Sequence, residues 1–408
     1  MKKRSRVALI VETTGIYGRS ILFGVARYLD IHGDWTLFMD ERAIPSPEWL
    51  LDWDGDGIIC RATTPDLAQA LKKKNSAVVD LNETFGPLGL PHVSSDMPAI
   101  GRMATNHLLE HGLRKIAFVG SGDMAWSRGR LEGVLQAVAG RAEFCGAFET
   151  HPLVYLGKDW LQEFERLKEW VSQLPRPVGI VASNDKRARH VLEVCQMLDI
   201  AVPDQVAVIG VDNTGFLCRL SSPPLSSVVP DAELVGYEAA CLLARLMAGG
   251  IQGEPLSIAP KGVAARQSTE VFATNDPVFS EAIRFMRDHA YDGITIPDVL
   301  SHVSTSRSTL DRCFKQHLGH SAPTQLRLIR LNRVKQLLEE TDLSLPRIAE
   351  ITGFEHPEYM MAQFKRLVGQ TPSQWRHSHP FHFSPARRRN ELVEPERFVA
   401  KWLKPEEQ

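Results

Sequence analysis

The stretch GFEHPEYMMAQFKRLVGQTP (353–372) decides how the C-terminal part of the chain folds. Gly353 permits a sharp turn, and Pro357 fits the first turn of a helix, where a missing N–H is tolerated. The helix that follows carries a basic outer face. Ahead of it, SLPRIAEIT (344–352) places Ile348 and Ile351 on one face of a shorter helix. Helix, tight turn, helix is the grammar of a helix-turn-helix unit. The plan occurs once before: TIPDVLSHV (295–303), the turn STSRS (304–308) and TLDRCFKQHLG (309–319), with Ser306 as N-cap. A helix presented in this way can lie in the major groove with its polar side chains against base edges. Arg307 and Arg312 are the side chains best suited to a guanine or a phosphate.

Working outward, SEAIRFMRDHA and the long TQLRLIRLNRVKQLLEE complete six or seven short helices, broken by Gly293, Gly319, Pro323 and Gly353. Before about residue 270 the pattern changes class. VALIVE (7–12), GIICRA (57–62), AVVDL (77–81), KIAFVG (115–120), VGIVAS (178–183) and VAVIGVD (206–212) are short apolar runs. Helical patterns such as IGRMATNHLLEHG and KRARHVLEVCQMLDI separate them. Fully apolar strands alternating with helices predict parallel sheets covered on both faces. The expected fold is therefore an α/β core of two lobes with a cleft between them, followed by an all-α domain with two helix-turn-helix units. The expected boundaries are a core over 1–266, a linker over 267–277 (QSTEVFATNDP), a DNA reader over 278–377 and a tail over 378–408.

Composition narrows the function. The chain has 408 residues and a net charge of −2. From Pro277 onward 19 Lys/Arg stand against 16 Asp/Glu, leaving 28 against 33 before it. A mildly basic module behind an acidic body suits nucleic acid, although charge alone is weak support. The six cysteines show no metal-ligand or CxxC spacing and suit a reducing compartment. No run approaches the roughly 20 apolar residues of a membrane span, and MKKRSRVALIVETTG is interrupted at Glu12 and reads as a first strand. The expected location is cytoplasmic.

Two families are resembled. FKQHLGHSAP (314–323), FKRLVGQTPSQWR (364–376) and RLNRVKQLLEETDLSLPRIAEITGF (330–354) are similar to the arabinose-regulator (AraC-type) DNA-binding domain. By position the resemblance turns Ser308, Asp311 and Arg312 of the first unit, and Glu358, Met361 and Ala362 of the second, toward DNA. The family commonly has arginine at the place of Ala362, which implies that the second unit reads shape or phosphates more than bases. HVSSDMPAIGRMATNHLLEHGLRKIAFVGSG, IVASNDKRARHVLEV, VAVIGVDNTG and SSPPLSSVV, in that order, resemble the effector core of lactose-repressor-type regulators, itself similar to periplasmic sugar-binding proteins. A sugar-binding core placed before an AraC-type reader is the architecture of the xylose-operon regulators. Tyr17, Arg19, ARHVLEVC (188–195) and VIGVDN (208–213) resemble that group.

The resemblance implies a sugar-responsive DNA-binding regulator, an activator of xylose (pentose) catabolic genes. Its partners would be DNA, a monosaccharide effector with D-xylose first, a second copy of the chain through VGYEAACLLARLMAGG (235–250), and RNA polymerase. No cofactor is implied. Sugar hydroxyls are met by carboxylates and guanidinium groups in pairs, and the C–H face of the ring packs on aromatics. The cleft candidates are Arg130, Asp185 and Asp212, then Asn184, Asn213 and Arg19, with Tyr17 or Trp126 as stacking surface. Asp185 could equally cap the helix after it, and Asp212 a turn.

A rival class is a nicotinamide-dependent oxidoreductase, since GSGDMA (120–125) matches G-x-G-x-x-A after a strand. It sits in mid-domain and not at the first βα turn. Another sugar-active enzyme is a further alternative, but no HExxH, P-loop or Ser/His/Asp arrangement supports catalysis. His377, His379 and His382 are weighed as metal ligands and set aside, and ARRRNE (386–391) reads as a solvated tail.

Overall fold

The six apolar runs become β-strands because their side chains have a buried surface to meet on each face of a sheet. The computed structural model describes residues 4–33, 35–40, 47–150, 160–251, 253–271 and 276–378. The chain divides into two compact units, Met1–Ala273 and Thr274–Gln408.

The first unit has two lobes. The first is formed by β1 (Ser5–Ile10), α1 (Ile16–His32), β2 (Trp35–Asp40), β3 (Gly57–Cys60), α2 (Pro65–Leu71), β4 (Ala77–Asp80) and β5 (Val93–Ser95). The chain then builds the second lobe with α3 (Met97–Glu110), β6 (Lys115–Gly120), α4 (Ala125–Val138), β7 (Glu143–Glu149), α5 (Trp160–Gln173), β8 (Val178–Ala182), α6 (Asp185–Met197), β9 (Val206–Val211), α7 (Gly215–Leu220) and β10 (Ser226–Val229). It returns to the first lobe for α8 (Ala232–Met247) and β11 (Leu256–Ile258), and closes the second with β12 (Gly262–Ala264). The sheets run β2-β1-β3-β4, all parallel, and β12-β10-β9-β8-β6-β7, parallel except for β12; β11 pairs with β5.

Three chain crossings therefore join the lobes, near residues 96, 230 and 260. They are tied together by Asp96 N–H to the Ile258 carbonyl (2.8 Å) and Lys261 N–H to the Val229 carbonyl (2.8 Å). In each lobe two helices touch through glycine: a Cβ on Gly24 or Gly236 would collide with α8 or α1, and one on Gly101 or Gly133 with α4 or α3.

The second unit is helical. Its described helices are α9 (Pro277–His289), α10 (Ile296–His302), α11 (Arg307–Leu318), α12 (Ala322–Glu340), α13 (Leu345–Ile351), α14 (Pro357–Val368) and α15 (Pro372–Ser378). α10–α11 and α13–α14 are the two helix-turn-helix units. Ser306 caps α11, accepting from Thr309 N–H at 3.2 Å, and Gly319 and Gly369 end α11 and α14 at positive φ. Leu331, Val334, Leu337 and Leu338 of α12 pack with Ile348, Phe354, Met360 and Phe364 as the core of the second helix-turn-helix unit.

Candidate effector cleft and DNA-reading helices

The first-lobe face of the cleft grows from strand ends. Glu12 follows β1, Arg61 follows β3, Glu83 lies just beyond β4, and Ser95 ends β5. Arg61 pairs with Glu12, and its other amino group lies 3.4 Å from Glu83 Oε2. Tyr17, in the first turn of α1, donates its hydroxyl to Glu83 Oε1 at 2.6 Å and lies 2.6 Å from Ser95 Oγ. The Arg61 guanidinium lies over the Tyr17 ring, 5.1 Å from its centroid. Burial drives the Tyr17 hydroxyl well above its ordinary pKa, and the Glu83 charge adds to the rise.

The second-lobe face is built on α4 and the loops after β8 and β9. Arg130, 4% exposed, donates to the Ser183 carbonyl, lies 3.6 Å from Asp212 Oδ1 and stacks on Trp126 at 5.1 Å. About a quarter of the Asp212 side chain remains open, at 24%. Burial lifts its carboxyl above the usual range; Arg130 pulls it back, and Glu83 and Arg61 of the opposite lobe act on it with opposite signs. Across the same gap Ala125 N–H donates to the Thr84 carbonyl (2.9 Å) and Trp126 N–H to the Glu83 carbonyl (3.0 Å). The first N–H groups of α4, which a helix cannot satisfy internally, are thus satisfied by the other lobe. The GSGDMA loop consequently leads into a helix start occupied by carbonyls, not one free to receive a pyrophosphate.

Arg61 Nε, Arg130 Nε and Ser183 Oγ are buried polar atoms with no hydrogen-bond partner in the protein. Such atoms cost free energy unless something meets them, and all three belong to residues of the two cleft faces.

Of the eight residues expected in the cleft, the structure brings Tyr17, Trp126, Arg130 and Asp212 together. The other four are engaged within the protein. Asn184 caps α6, accepting from Arg187 N–H at 3.0 Å. Asp185, 1% exposed, accepts from Thr214 N–H and Ser227 Oγ, each at 2.6 Å, and so holds the loop after β9. Asn213 accepts from Arg266 at 2.8 Å, and Arg19 donates to the Thr13 carbonyl at 2.6 Å. Glu12, Arg61, Glu83 and Ser95 were missed from sequence. The available signal was their position at or just after strand ends, where ligands of open α/β sheets sit.

On the reader, Arg307, Ser308 and Arg312 of α11 and Glu358 and Ala362 of α14 are exposed, while Asp311 is half-buried. Met361 is half-buried against the second unit's core. The Ser308 hydroxyl lies 2.9 Å from that of Ser306. His377 contacts the Ser373 carbonyl (2.7 Å); His379, His382 and the 386–391 run lie outside the described residues, as do residues 272–275 of the expected 267–277 linker, whose start at 267–269 is instead a helical turn with Ser268 and Thr269 buried. Among the described residues no His/Cys/Asp/Glu group could hold a metal. No described helix is long and apolar enough to cross a membrane.

Comparison with known proteins agrees with this fold, an α/β core followed by a helical reader. Residues 6–107 match the XylR N-terminal domain, 105–269 the periplasmic binding protein-like domain and 299–378 a helix-turn-helix domain. The xylose operon regulatory protein of Escherichia coli K12 is 32% identical over 390 residues, covering 92% of this chain and 97% of that protein. The chain belongs to the xylose operon regulatory protein family. The Haemophilus influenzae member is 29% identical over 387 residues, 91% of this chain and 98% of that one. A solved structure described as the xylose-binding transcription activator XylR superposes with a TM-score of 0.74 at 30% identity, covering 93% of this chain and 99% of that one. The protein is thus a DNA-binding transcription regulator and not an enzyme, and the oxidoreductase alternative has no support.

Proposed function

We propose that this regulator takes a monosaccharide, D-xylose, in the cleft between its lobes and activates genes of pentose catabolism in the cytoplasm. The observation that carries the reading is the convergence of Arg61, Glu83 and Tyr17 from one lobe with Arg130, Trp126 and Asp212 from the other, around polar atoms that lack a protein partner. Paired carboxylates and guanidinium groups beside aromatic rings are the chemistry of a sugar hydroxyl set and its C–H face. The names of the relatives support xylose as the sugar.

The protein works as a dimer through its core, with RNA polymerase as the partner in activation. Helix α8, the core of the stretch 235–250, buries Val235, Ala239 and Leu243 within its own lobe, so a second copy would meet its remaining half-buried face. Sugar changes how the two readers of a dimer are spaced and leaves each reader unchanged. Each reader spans two successive grooves, so small changes of spacing move four recognition helices in or out of register. The protein binds DNA through α11 first, where Arg307 and Arg312 stand exposed.

Titration calorimetry and thermal shift with D-xylose, other pentoses and hexoses test the effector, because a ligand of the folded state raises apparent stability. D-xylose should give the largest shift, and no response to any pentose would defeat the reading. Arg312→Ala should weaken DNA binding by about 1–3 kcal/mol with or without sugar, leaving sugar affinity in the DNA-free protein unchanged. Sedimentation of the protein as a monomer at micromolar concentration, with and without DNA, would defeat the dimer.

A further inference from the structure

We infer that Arg266 is the positioning residue through which occupancy of the cleft reaches the DNA reader. The inference rests on the reading of the cleft as an effector site. It starts from backbone strain: Asp212 and Asn213 both stand at positive φ, 98° and 48°, a region that residues other than glycine seldom occupy and that persists only when neighbours hold it. Beyond the bond from Asp212 N–H to the Val228 carbonyl (3.0 Å) and the Arg130 guanidinium 3.6 Å from Asp212, three side chains hold this loop. Asp185 accepts from Thr214 N–H, Ser227 Oγ accepts from Asn213 N–H at 2.9 Å, and the Arg266 guanidinium donates to Asn213 Oδ1 at 2.8 Å. The first two lie inside the lobe, with Asp185 and Ser227 almost fully buried. Arg266 reaches the loop from the end of the core domain.

The same arginine is bound to the segment that leads out of the core. Its guanidinium also donates to the Leu225 carbonyl (2.9 Å), and its own N–H donates to Ser226 Oγ (2.7 Å). Ser226 Oγ lies 2.7 Å from Thr269 Oγ1, which in turn lies 2.7 Å from His107 Nε2. Ser268 donates to the Val208 carbonyl at 2.6 Å and accepts from Ser226 N–H at 2.8 Å. Ser268 and Thr269 are wholly buried, and Val271 packs in the core of the second lobe. Pro277, where the first helix of the reader begins, follows Val271 by six positions.

The chain leaving for the reader is thus a fixed part of the second lobe, and one guanidinium joins it to the strained loop that carries Asp212. A ligand that binds Asp212 and changes the strain of residues 212–213 acts on Arg266 by the same bond. The planar guanidinium holds Leu225 and Asn213 from two separate nitrogens at a fixed spacing; the three N–H groups of lysine share one nitrogen and lack that fork. Coupling of this kind is the difference in a ligand's affinity for two states of one element.

The test uses the full-length protein and a duplex that the wild type selects from a random pool, with DNA affinity measured with and without saturating D-xylose. In wild type the ratio of the two affinities defines the coupling. Arg266→Met and Arg266→Lys should bring that ratio to within about twofold of one, while sugar-free DNA affinity stays within about twofold of wild type, as expected for a group that transmits and does not bind. Asn213→Ala, which leaves the Leu225 bond in place, should reduce the ratio too, and the double variant should lose no more than the worse single one. If wild type couples and folded Arg266→Met and Asn213→Ala couple equally well, the role of Arg266 is overturned while the effector reading stands. If wild type binds no pentose in the calorimeter, the effector reading falls and this inference falls with it. Should Arg266→Met not fold, Asn213→Ala decides alone.

Discussion

The two faces of the cleft are made of similar residues and are in different states. On the first lobe, Arg61, Glu12, Glu83, Tyr17 and Ser95 already form a closed network, each acid matched by a cation or hydroxyl at close range. On the second lobe Arg130 and Asp212 stand 3.6 Å apart, Asp212 keeps an open edge and sits on a backbone at positive φ, and Ser183 Oγ has no partner. Apart from Arg61 Nε this network is satisfied, and it is stiff because its members would lose bonds by moving. A strained loop with unfilled hydrogen-bonding capacity has something to gain from a ligand. The difference teaches that one face supplies a template and the other supplies the response. That is also the side of the core from which the chain departs for the reader.

Breaking the template should have the largest effect. Arg61→Ala strips the counter-charge from Glu12 and Glu83 at once. Removing one partner of a largely buried pair costs about 3–5 kcal/mol, so the urea midpoint of the core transition should fall markedly and sugar binding should disappear with it. If stability barely changed, the first face would not be the rigid one. On the second face the loss should fall on binding. Asp212→Ala removes a charge-assisted hydrogen bond to the sugar, worth about 1.5–3 kcal/mol; it also leaves the buried Arg130 without its carboxylate, a cost limited by their 3.6 Å separation, by the 24% exposure of Asp212 and by the Ser183 carbonyl that Arg130 keeps. Unchanged calorimetric affinity for D-xylose would remove Asp212 from the site.

The same contrast explains what could be read from the sequence. Strands β1, β3, β4, β6, β8 and β9 announce themselves as apolar runs because both of their faces are covered. β2, β7 and β10 do not, and neither do the three-residue β5, β11 and β12: WTLFMD and EFCGAFE lie at sheet edges and stay partly exposed, and SSVV is short with polar residues buried by hydrogen bonds. Arg130 and Asp212 of the second face are cleft candidates by their position in the family resemblance, Asp212 within VAVIGVDNTG itself. A glutamate or arginine just after a strand is too ordinary to single out Glu12, Arg61 and Glu83 without their partners, which lie tens of residues away in the chain. Direction is the other thing a sequence withholds. Asn184 and Asp185 are at the expected strand end, yet one caps a helix and the other points inward, because the loop after β9 needs an acceptor for the Thr214 N–H.

That inward carboxylate allows the finest test of the comparison, since it stands directly behind the responsive face. Burial first, and then the charge of Asp212, pushes the Asp185 carboxyl from 3.8 up to about 7. A raised carboxyl means that the folded state holds the proton more tightly than the unfolded chain does. Its contribution to stability is therefore fully present below about pH 4 and is lost as pH rises through about 7. Asn can take its place with little rearrangement: its oxygen can accept from Thr214 N–H while its amide donates to Ser227 Oγ, whose hydroxyl turns toward the Val228 carbonyl, 3.4 Å away. Asp185→Asn should therefore fold, and between pH 5 and 7 its stability should fall with pH less steeply than that of wild type. The difference in slope should approach, at most, one proton, or about 1.4 kcal/mol per pH unit. The measurement is a set of urea transitions across that range. Parallel curves for the two proteins would mean that Asp185 is ionised throughout, and that the loop carrying Asp212 is held by a full negative charge instead of a neutral acid.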